Sequence, residues 1–110
     1  MASAGRRARA AAGAHREMLE HAADAAALLR ALANEQRLAI LCSLLERPRS
    51  VSELNEQVDL SQSALSQHLA VLRETGLVDT EKQSQSVIYS LPPGPARRVL
   101  AVLESIYCPR

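Results

Sequence analysis

The segment from residue 50 to residue 76 constrains the fold of this chain more than any other stretch. Ser50 and Glu53 have the spacing of a capping box, in which a hydroxyl and a carboxylate bind free backbone N–H groups at the start of a helix. Ser61 is suited to cap a second helix, and Gly76 suits the left-handed position that follows a helix end. This spacing predicts two short helices joined by a tight turn.

The second helix has two chemically different faces. Leu65, Leu69 and Leu72 form an apolar stripe that predicts packing against a core. The opposite face carries hydroxyls and amides, which can donate to and accept from base edges in the major groove. We therefore interpret the pair as a helix-turn-helix that binds double-stranded DNA, with a polar surface helix in a bundle as the alternative. The candidate DNA-binding residues of this helix are Gln62, Ser63, Ser66, Gln67, His68 and Arg73.

A β-hairpin is predicted directly after this helix. Residues 77 to 82 and 86 to 91 are rich in Val, Ile, Tyr and Thr, and a polar turn separates them. A hairpin in this position is a wing, which can lie along the DNA backbone or in the minor groove. We expect Lys82, Gln83 and Gln85 to contact phosphates there, although Lys82 could also be an ordinary exposed strand end.

The remaining segments predict three further helices. The first spans residues 14 to 32, the second begins after Asn34 and ends before Pro48, and the last spans about 96 to 107 after Pro95. The fold class is therefore mainly α with a small β-hairpin, a winged helix-turn-helix. The last helix has more apolar surface than a monomer of this size can cover. We expect the first and last helices to form a homodimer interface that presents two recognition helices to an inverted repeat.

Composition sets the limits of this interpretation. The chain has 110 residues, no Phe and no Trp, and a formal net charge of +1, so attraction to phosphate must come from local patches. We expect a disordered basic arm over residues 1 to 13 and one domain over residues 14 to 110. The apolar stretches are too short to span a bilayer and no secretory signal is visible, which predicts a cytoplasmic protein. No motif predicts catalysis or a cofactor.

Three segments together resemble a known family. Residues 32 to 41, 61 to 69 and 72 to 78 are similar to the ArsR/SmtB family of winged-helix bacterial repressors, and the resemblance covers roughly residues 19 to 107. It implies a homodimeric repressor that binds an operator with imperfect two-fold symmetry and leaves it on sensing an inducer. The wing departs from the family pattern, which commonly has Gly and Arg at the tip where this chain has Gln83, Ser84 and Gln85.

The metal sites of that family are absent from this sequence. Many members bind metal through a Cys-x-Cys pair before the recognition helix or through Asp and His pairs on the last helix. Residues 53 to 56 contain no Cys, the last helix contains no His, and His15, His21 and His68 are scattered. We therefore predict no metal site. A metal-sensing or ligand-sensing repressor with structural cysteines is the alternative within the family.

Cys42 and Cys108 are the only cysteines of the chain. The residues alone favour a buried apolar role for Cys42 and an incidental thiol at Cys108. One branch of the family, the BigR and SqrR type, is similar in placing one Cys in the second helix and one at the end of the last. That resemblance implies a redox pair that low-molecular-weight persulfides or other oxidants link, with release of the operator. A winged helix for protein contacts only and a thiol oxidoreductase remain alternatives, the latter weakened because no Cys-x-x-Cys motif is present.

Overall fold

The structure, a computed structural model, describes residues 13 to 109. The elements in chain order are α1 (13–20), α2 (Ala22–Leu32), α3 (Glu35–Glu46), β1 (Arg49–Ser50), α4 (Val51–Gln57), α5 (Gln62–Glu74), β2 (Asp79–Gln83), β3 (Ser86–Ser90) and α6 (Pro95–Tyr107). Helices with a small antiparallel sheet confirm the predicted winged helix-turn-helix, in which α4 and α5 are the two helices of the motif and β2 and β3 form the wing. Within residues 13 to 109, no helix combines the length and apolar character needed to cross a bilayer.

The predicted caps fix the starts of α3 and α4. The Asn34 side chain accepts hydrogen bonds from the backbone N–H groups of Gln36 and Arg37, at 3.0 and 3.1 Å. At α4, the Glu53 N–H donates to Ser50 Oγ at 3.2 Å, while the Ser50 N–H donates to Glu53 Oε1 at 3.0 Å. These reciprocal bonds satisfy N–H groups that have no partner within the helix. The capping box predicted from sequence is confirmed.

Helix α5 is also closed at both ends by its own sequence. Ser61 Oγ accepts from the Ala64 N–H at 3.2 Å at the start. At the end, Gly76 adopts φ +72°, and the Leu77 N–H donates to the Leu72 carbonyl at 2.9 Å. A 6→1 bond of this kind, with a left-handed glycine before the donor, is a Schellman closure. It satisfies a carbonyl that has no partner within the helix. The predicted extent of the recognition helix is confirmed.

The first predicted helix is interrupted once. The His21 N–H lies 3.2 Å from the Glu17 carbonyl and 3.1 Å from the Met18 carbonyl, so the backbone tightens into a turn at that point. The Ala25 N–H then donates to the His21 carbonyl at 2.9 Å, and the helix resumes as α2. Residues 13 to 32 therefore form two consecutive helices, α1 and α2, instead of one. Of the basic arm predicted over residues 1 to 13, residues 1 to 12 lie outside the described residues, and residue 13 already belongs to a helix.

The sheet has three strands in the order β1-β3-β2. Strand β1 was not predicted; it pairs Arg49 with Tyr89 and Ser50 with Ile88. The hairpin strands are shorter than the predicted 77 to 82 and 86 to 91, because Leu77 and Val78 are buried in the core before β2 begins. The turn at residues 84 and 85 also has two residues, not the predicted three, since residue 83 pairs with residue 86 in the sheet.

The core lies where α3, α4 and α5 meet. Its fully buried side chains are Ile40, Leu41, Leu44, Leu54, Leu65, Leu69 and Leu72. Tyr89 and Leu91 close this core from the sheet side, and Ala96 and Leu100 of α6 pack on it as well. Helices α3 and α5 therefore share one core of closely packed side chains.

Candidate functional site

The outer face of α5 presents the predicted recognition residues to solvent. Gln62, Ser63, Ser66, Gln67 and Arg73 are all exposed, whereas Leu65, Leu69 and Leu72 on the other face are buried. The division follows from the helical period, which places positions three and four apart on one side. The side chains with amide and hydroxyl groups therefore share one accessible surface that can enter a major groove.

His68 differs from the other recognition residues because its side chain is half-buried. Its Nδ1 lies 3.5 Å from Nη1 of Arg37 at the start of α3. The same guanidinium donates from Nε to the Ala31 carbonyl at 2.6 Å and from Nη2 to the Arg30 carbonyl at 3.1 Å. Arg37 thus joins the end of α2 to the recognition helix. No pattern in the sequence marks Arg37 as a functional residue, because its partners become neighbours only in the folded chain.

Arg73 links the recognition helix to the wing. Its Nη1 lies 3.5 Å from the hydroxyl of Tyr89, which is buried on β3. Arg73 as a whole residue is nevertheless exposed. Arg73 is therefore held by a neighbouring element while its remaining N–H donors stay available to an anion such as phosphate.

The three predicted wing residues are exposed but do not share one surface. Lys82 and Gln83 are consecutive residues of β2, opposite Val87 and Ser86 of β3. Successive side chains of a strand point to opposite faces of the sheet, so Lys82 and Gln83 face opposite sides of the wing. Gln85 lies in the turn between the strands. One side of the wing can therefore present Lys82, with the turn residue at its tip.

An ion pair forms at the start of the helix-turn-helix. Arg47 Nη2 donates to Glu53 Oε2 at 2.7 Å, in addition to the bond that Glu53 Oε1 accepts from the Ser50 backbone. The backbone bond from Ser50 and the bond from Arg47 lower the pKa of Glu53 to about 2. The carboxylate of the capping box is therefore ionised at neutral pH.

Both cysteines line one cleft, which lies between α3 and α6. Its volume is about 810 Å³. Besides Cys42 and Cys108, the walls include two carboxylates, those of Glu46 and Glu104, and a set of apolar side chains. The apolar set is Leu38, Leu45, Leu100, Leu103 and Tyr107. Two elements that are remote in sequence thus bring the two thiols to a common, solvent-accessible space.

The surroundings of Cys42 are both accessible and partly apolar. Cys42 is exposed, so the interpretation of this residue as a buried apolar side chain is wrong. Desolvation by the cleft raises the pKa of Cys42, and the nearby charges of Cys108 and Glu104 raise it further. Cys108 forms the C-terminal cap of α6 and is exposed as well. Each thiol can therefore meet a small molecule from solvent.

The two carboxylates of the cleft differ in their partners. Glu46 Oε2 accepts a bond of 2.7 Å from Nη2 of Arg49, whose side chain is buried and whose Nε donates to the Ser43 carbonyl at 3.0 Å. Within residues 13 to 109, Glu104 takes part in no ion pair. Of the two carboxylates in the cleft, Glu104 is therefore the one whose negative charge no described residue neutralises through an ion pair.

Large apolar side chains are exposed on the helices at the two ends of the chain. They are Met18, Leu19 and Leu29 on α1 and α2, and Val102, Ile106 and Tyr107 on α6, with 56 to 77% of each residue accessible. Exposed apolar residues in such number indicate a surface for association. They lie on the two segments from which the sequence predicted a homodimer interface. The described part of the chain contains no group of three or more His, Cys, Asp or Glu side chains placed to hold a metal ion.

Known proteins are similar to this chain in sequence and in fold. Residues 34 to 80 match the family of bacterial regulatory proteins called the arsR family. The transcriptional activator HlyU of Vibrio cholerae is 50% identical over 92 residues, which are 84% of this chain and 85% of HlyU. The transcriptional regulator YgaV of Escherichia coli is 43% identical over 89 residues, 80% of this chain and 90% of YgaV.

Two solved structures are similar to the whole winged-helix unit. Reduced HlyU from Vibrio cholerae superposes with a TM-score of 0.78 at 49% identity, covering 84% of this chain and 98% of that one. The transcriptional repressor BigR from Xylella fastidiosa superposes with a TM-score of 0.80 at 35% identity, covering 87% and 98%. Identity and coverage of this size, together with the helix-turn-helix and wing, show that the chain belongs to the ArsR family of bacterial transcriptional regulators.

Proposed function

We propose that this regulator is a homodimeric repressor that binds an operator when its cysteines are reduced and releases it when Cys42 and Cys108 become linked. The observation that carries the proposal is the placement of both thiols in one accessible cleft between α3 and α6. A pair of thiols within one space can react in sequence with a single oxidant, the first as nucleophile and the second as resolving thiol.

The DNA-binding part of the proposal rests on α5 and the wing. The exposed amides of Gln62 and Gln67 can pair with adenine. The hydroxyls of Ser63 and Ser66 can bind either a donor or an acceptor on a base edge. His68 contributes by positioning α5 through Arg37 and can reach the groove margin only with the accessible part of its ring. Arg73, Lys82, Gln83 and Gln85 are proposed phosphate contacts, with Lys82 and Gln83 on opposite sides of the wing.

Dimerisation is supported by the exposed apolar side chains of α1, α2 and α6. A two-fold dimer places two recognition helices about one turn of DNA apart, roughly 34 Å. The operator would then be an imperfect inverted repeat, because each half-site meets the same protein surface.

The proposed inducer is a low-molecular-weight persulfide, RSSH, or another thiol oxidant. A cysteine thiolate attacks the terminal sulfur of RSSH, the RS–SH bond breaks, and RS⁻ leaves a cysteine persulfide on the protein. The second thiolate attacks the protein-bound sulfur of that persulfide and expels HS⁻, which yields a disulfide. Two thiols are oxidised, the sulfane sulfur is reduced to sulfide, and the thiol protons pass to RS⁻ and HS⁻. If the cysteine persulfide first attacks the terminal sulfur of a second RSSH and releases RS⁻, the protein carries a chain with one more sulfur. Attack of the second thiolate on the middle sulfur of that chain then expels HS⁻ and leaves one sulfur atom between the two cysteines.

A link in this cleft can change DNA binding through packing. It ties α6, which carries part of the proposed dimer surface, to α3, which shares the core with α5. A change in the distance between α3 and α6 then rotates one subunit against the other. Since both recognition helices must enter successive major grooves, a small rotation prevents their simultaneous binding.

The test uses single-cysteine variants and a duplex selected in vitro by the reduced protein. Glutathione persulfide should release the unmodified protein from this duplex, whereas Cys42→Ser and Cys108→Ser should stay bound, because neither can form the link. Intact mass under non-reducing conditions should show the link in the released protein. The double variant, Cys42→Ser with Cys108→Ser, is the control and should bind like the reduced protein.

Two results would change this conclusion. Release of either single variant by persulfide would exclude the paired mechanism. Thiols that remain free under both persulfide and peroxide would make the cysteines structural, and the apolar cleft would then be the place to look for a ligand of another kind.

A further inference from the structure

The charge of the cleft affects whether a charged or an uncharged electrophile approaches the thiols more readily. Arg49 compensates the carboxylate of Glu46 through a contact of 2.7 Å, whereas Glu104 has no such partner within residues 13 to 109. The other walls are largely apolar side chains of α3 and α6. An electrophile that approaches the thiols therefore meets an apolar surface and one carboxylate, that of Glu104, that no described residue neutralises through an ion pair.

Glu104 lies close to both thiols. It precedes Cys108 by four residues, and the Cys108 N–H donates to the Glu104 carbonyl at 2.8 Å, so the helical turn is maintained up to Cys108. Residues four apart on a helix have Cβ atoms about 5 to 6 Å from each other. On the side of α3, the charge of Glu104 contributes to the raised pKa of Cys42, after desolvation and the charge of Cys108. One carboxylate thus lies in the same cleft as both members of the pair.

We propose that Glu104 sets the charge selectivity of the dithiol, favouring uncharged apolar sulfur donors such as dialkyl trisulfides and slowing anionic donors such as glutathione persulfide. The inference rests on the proposed sensing function and adds to it the chemical class of the inducer. An anionic donor still links the cysteines in excess and with time, so selectivity is a property of the rate. A repulsive charge at a reaction site is a direct means of rejecting the wrong partner.

The reaction with a dialkyl trisulfide, RSSSR, is balanced without another oxidant. One cysteine thiolate attacks an outer sulfur, the bond from that sulfur to the central one breaks, and RSS⁻ leaves a mixed disulfide on the protein. The second thiolate attacks the cysteine sulfur of this mixed disulfide and expels RS⁻. Two thiols are oxidised to the disulfide, and the trisulfide is reduced by two electrons to RSSH and RSH, which take up the two thiol protons.

The test compares two alkylating reagents that have almost the same size and differ in charge. Iodoacetamide is neutral and iodoacetate is anionic, and both consume the same thiolate. The ratio of their rates at one cysteine therefore cancels any change in the thiolate fraction, including the change that removal of Glu104 causes. The rates at Cys42 and Cys108 are measured separately by peptide mapping after short exposures of the full chain.

We expect Glu104→Gln to lower the neutral-to-anionic rate ratio by about threefold at both cysteines, the size of a single charge acting over about 6 Å in water-like surroundings. Glu104→Lys should lower it further, and added salt should lower it in the unmodified protein through screening. Glu56→Gln, an exposed carboxylate on α4 outside the cleft, is the matched control and should leave the ratio unchanged. Equal ratios in the unmodified protein and in both Glu104 variants would overturn the inference.

The outcome is independent of whether the cysteines act as a sensor. Alkylation requires no link between Cys42 and Cys108, so a shifted ratio in a protein that never forms the link would retain the selectivity and reject the sensing function. Conversely, a link that forms with persulfide while the ratio stays constant would retain the sensor and reject the role of Glu104. As a direct extension, Glu104→Gln should accelerate linking by glutathione trisulfide relative to dimethyl trisulfide.

Discussion

At the scale of single residues, the Glu53 side chain takes part in both a helix cap and an ion pair. Its Oε1 accepts the Ser50 N–H and completes the cap of α4, and its Oε2 accepts from Arg47 at the end of α3. Both bonds favour the ionised carboxylate, which is why its pKa falls to about 2. The turn between α3 and α4 is therefore sensitive to the protonation of Glu53.

This sensitivity predicts a pH dependence of stability. The folded pKa is about 2, below the ordinary value of 4.5, so the contribution of Glu53 is fully present above about pH 4.5 and is lost as the pH falls towards 2. Glu53→Gln can still cap the helix but does not titrate. The urea midpoint of Glu53→Gln, measured from pH 7 to pH 2, should therefore fall less steeply than that of the unmodified protein.

The control for this measurement is Glu56→Gln on the exposed side of the same helix, which should keep the slope of the unmodified protein. Parallel pH profiles for the protein and Glu53→Gln would contradict the assignment of the depressed pKa to the capping box.

At the scale of elements, α5 packs in the core with its inner face and leaves its outer face free for the proposed recognition of DNA. Its inner leucines are fully buried, whereas the residues that carry amides and hydroxyls on the outer face are exposed. Arg37 adds a connection from the end of α2 to His68 on α5, through contacts of 2.6, 3.1 and 3.5 Å. The recognition helix is thus positioned from one side by the core and from another by the segment that carries part of the proposed dimer surface.

The two faces of α5 should respond differently to substitution. Leu69→Ala should lower the free energy of unfolding by about 2 to 5 kcal/mol, because it leaves a cavity in the core. Gln67→Ala should change that free energy by less than about 0.5 kcal/mol. It should nevertheless weaken binding to the selected duplex by about 1 to 3 kcal/mol through the loss of a base contact.

Urea unfolding and fluorescence anisotropy on the same preparations would measure both quantities. A Gln67→Ala variant with unchanged DNA affinity would remove Gln67 from the readout surface. Loss of stability in the same variant would show that the outer face serves packing instead.

At the scale of the whole molecule, the exposed apolar surface of α1, α2 and α6 is the feature that most requires a partner. Half or more of each large side chain in this set is accessible, although transfer of such groups from water is favourable by about 25 cal/mol per Å² of apolar area. A second copy of the chain would cover the surface and position the second recognition helix. The same association would make the distance between α3 and α6 decisive for DNA binding.

The prediction at this scale concerns the oligomeric state. Ile106→Asp introduces a charge into the proposed interface and should convert the dimer to a monomer, because burial of an unpaired carboxylate is strongly unfavourable. Sedimentation equilibrium would measure the change, and affinity for the full inverted repeat should fall with it. Val87→Asp on the wing, also an exposed apolar position, is the control and should leave the dimer intact. A dimeric Ile106→Asp protein would exclude α6 from the interface.

Several features that depend on near neighbours in the chain could be predicted from the sequence. The capping box of Ser50 and Glu53, the closure after Gly76 and the two faces of α5 were predicted from spacing and confirmed, because each bond joins residues at most five positions apart. The resemblance of the recognition helix then identified the family. Strand boundaries at Leu77 and the length of the wing turn were predicted less well, because β pattern and burial in the core look alike in sequence.

Which distant groups meet depends on the tertiary structure. Arg37 and His68 are 31 positions apart, and no local pattern marks them as partners. Strand β1 exists because β3 offers a pairing edge, although two residues have no strand pattern of their own. The common cleft of Cys42 and Cys108 likewise arises from the packing of α6 against α3, which also brings Glu104 to the two thiols. Contacts of this range depend on how whole elements pack, which residue spacing alone does not encode.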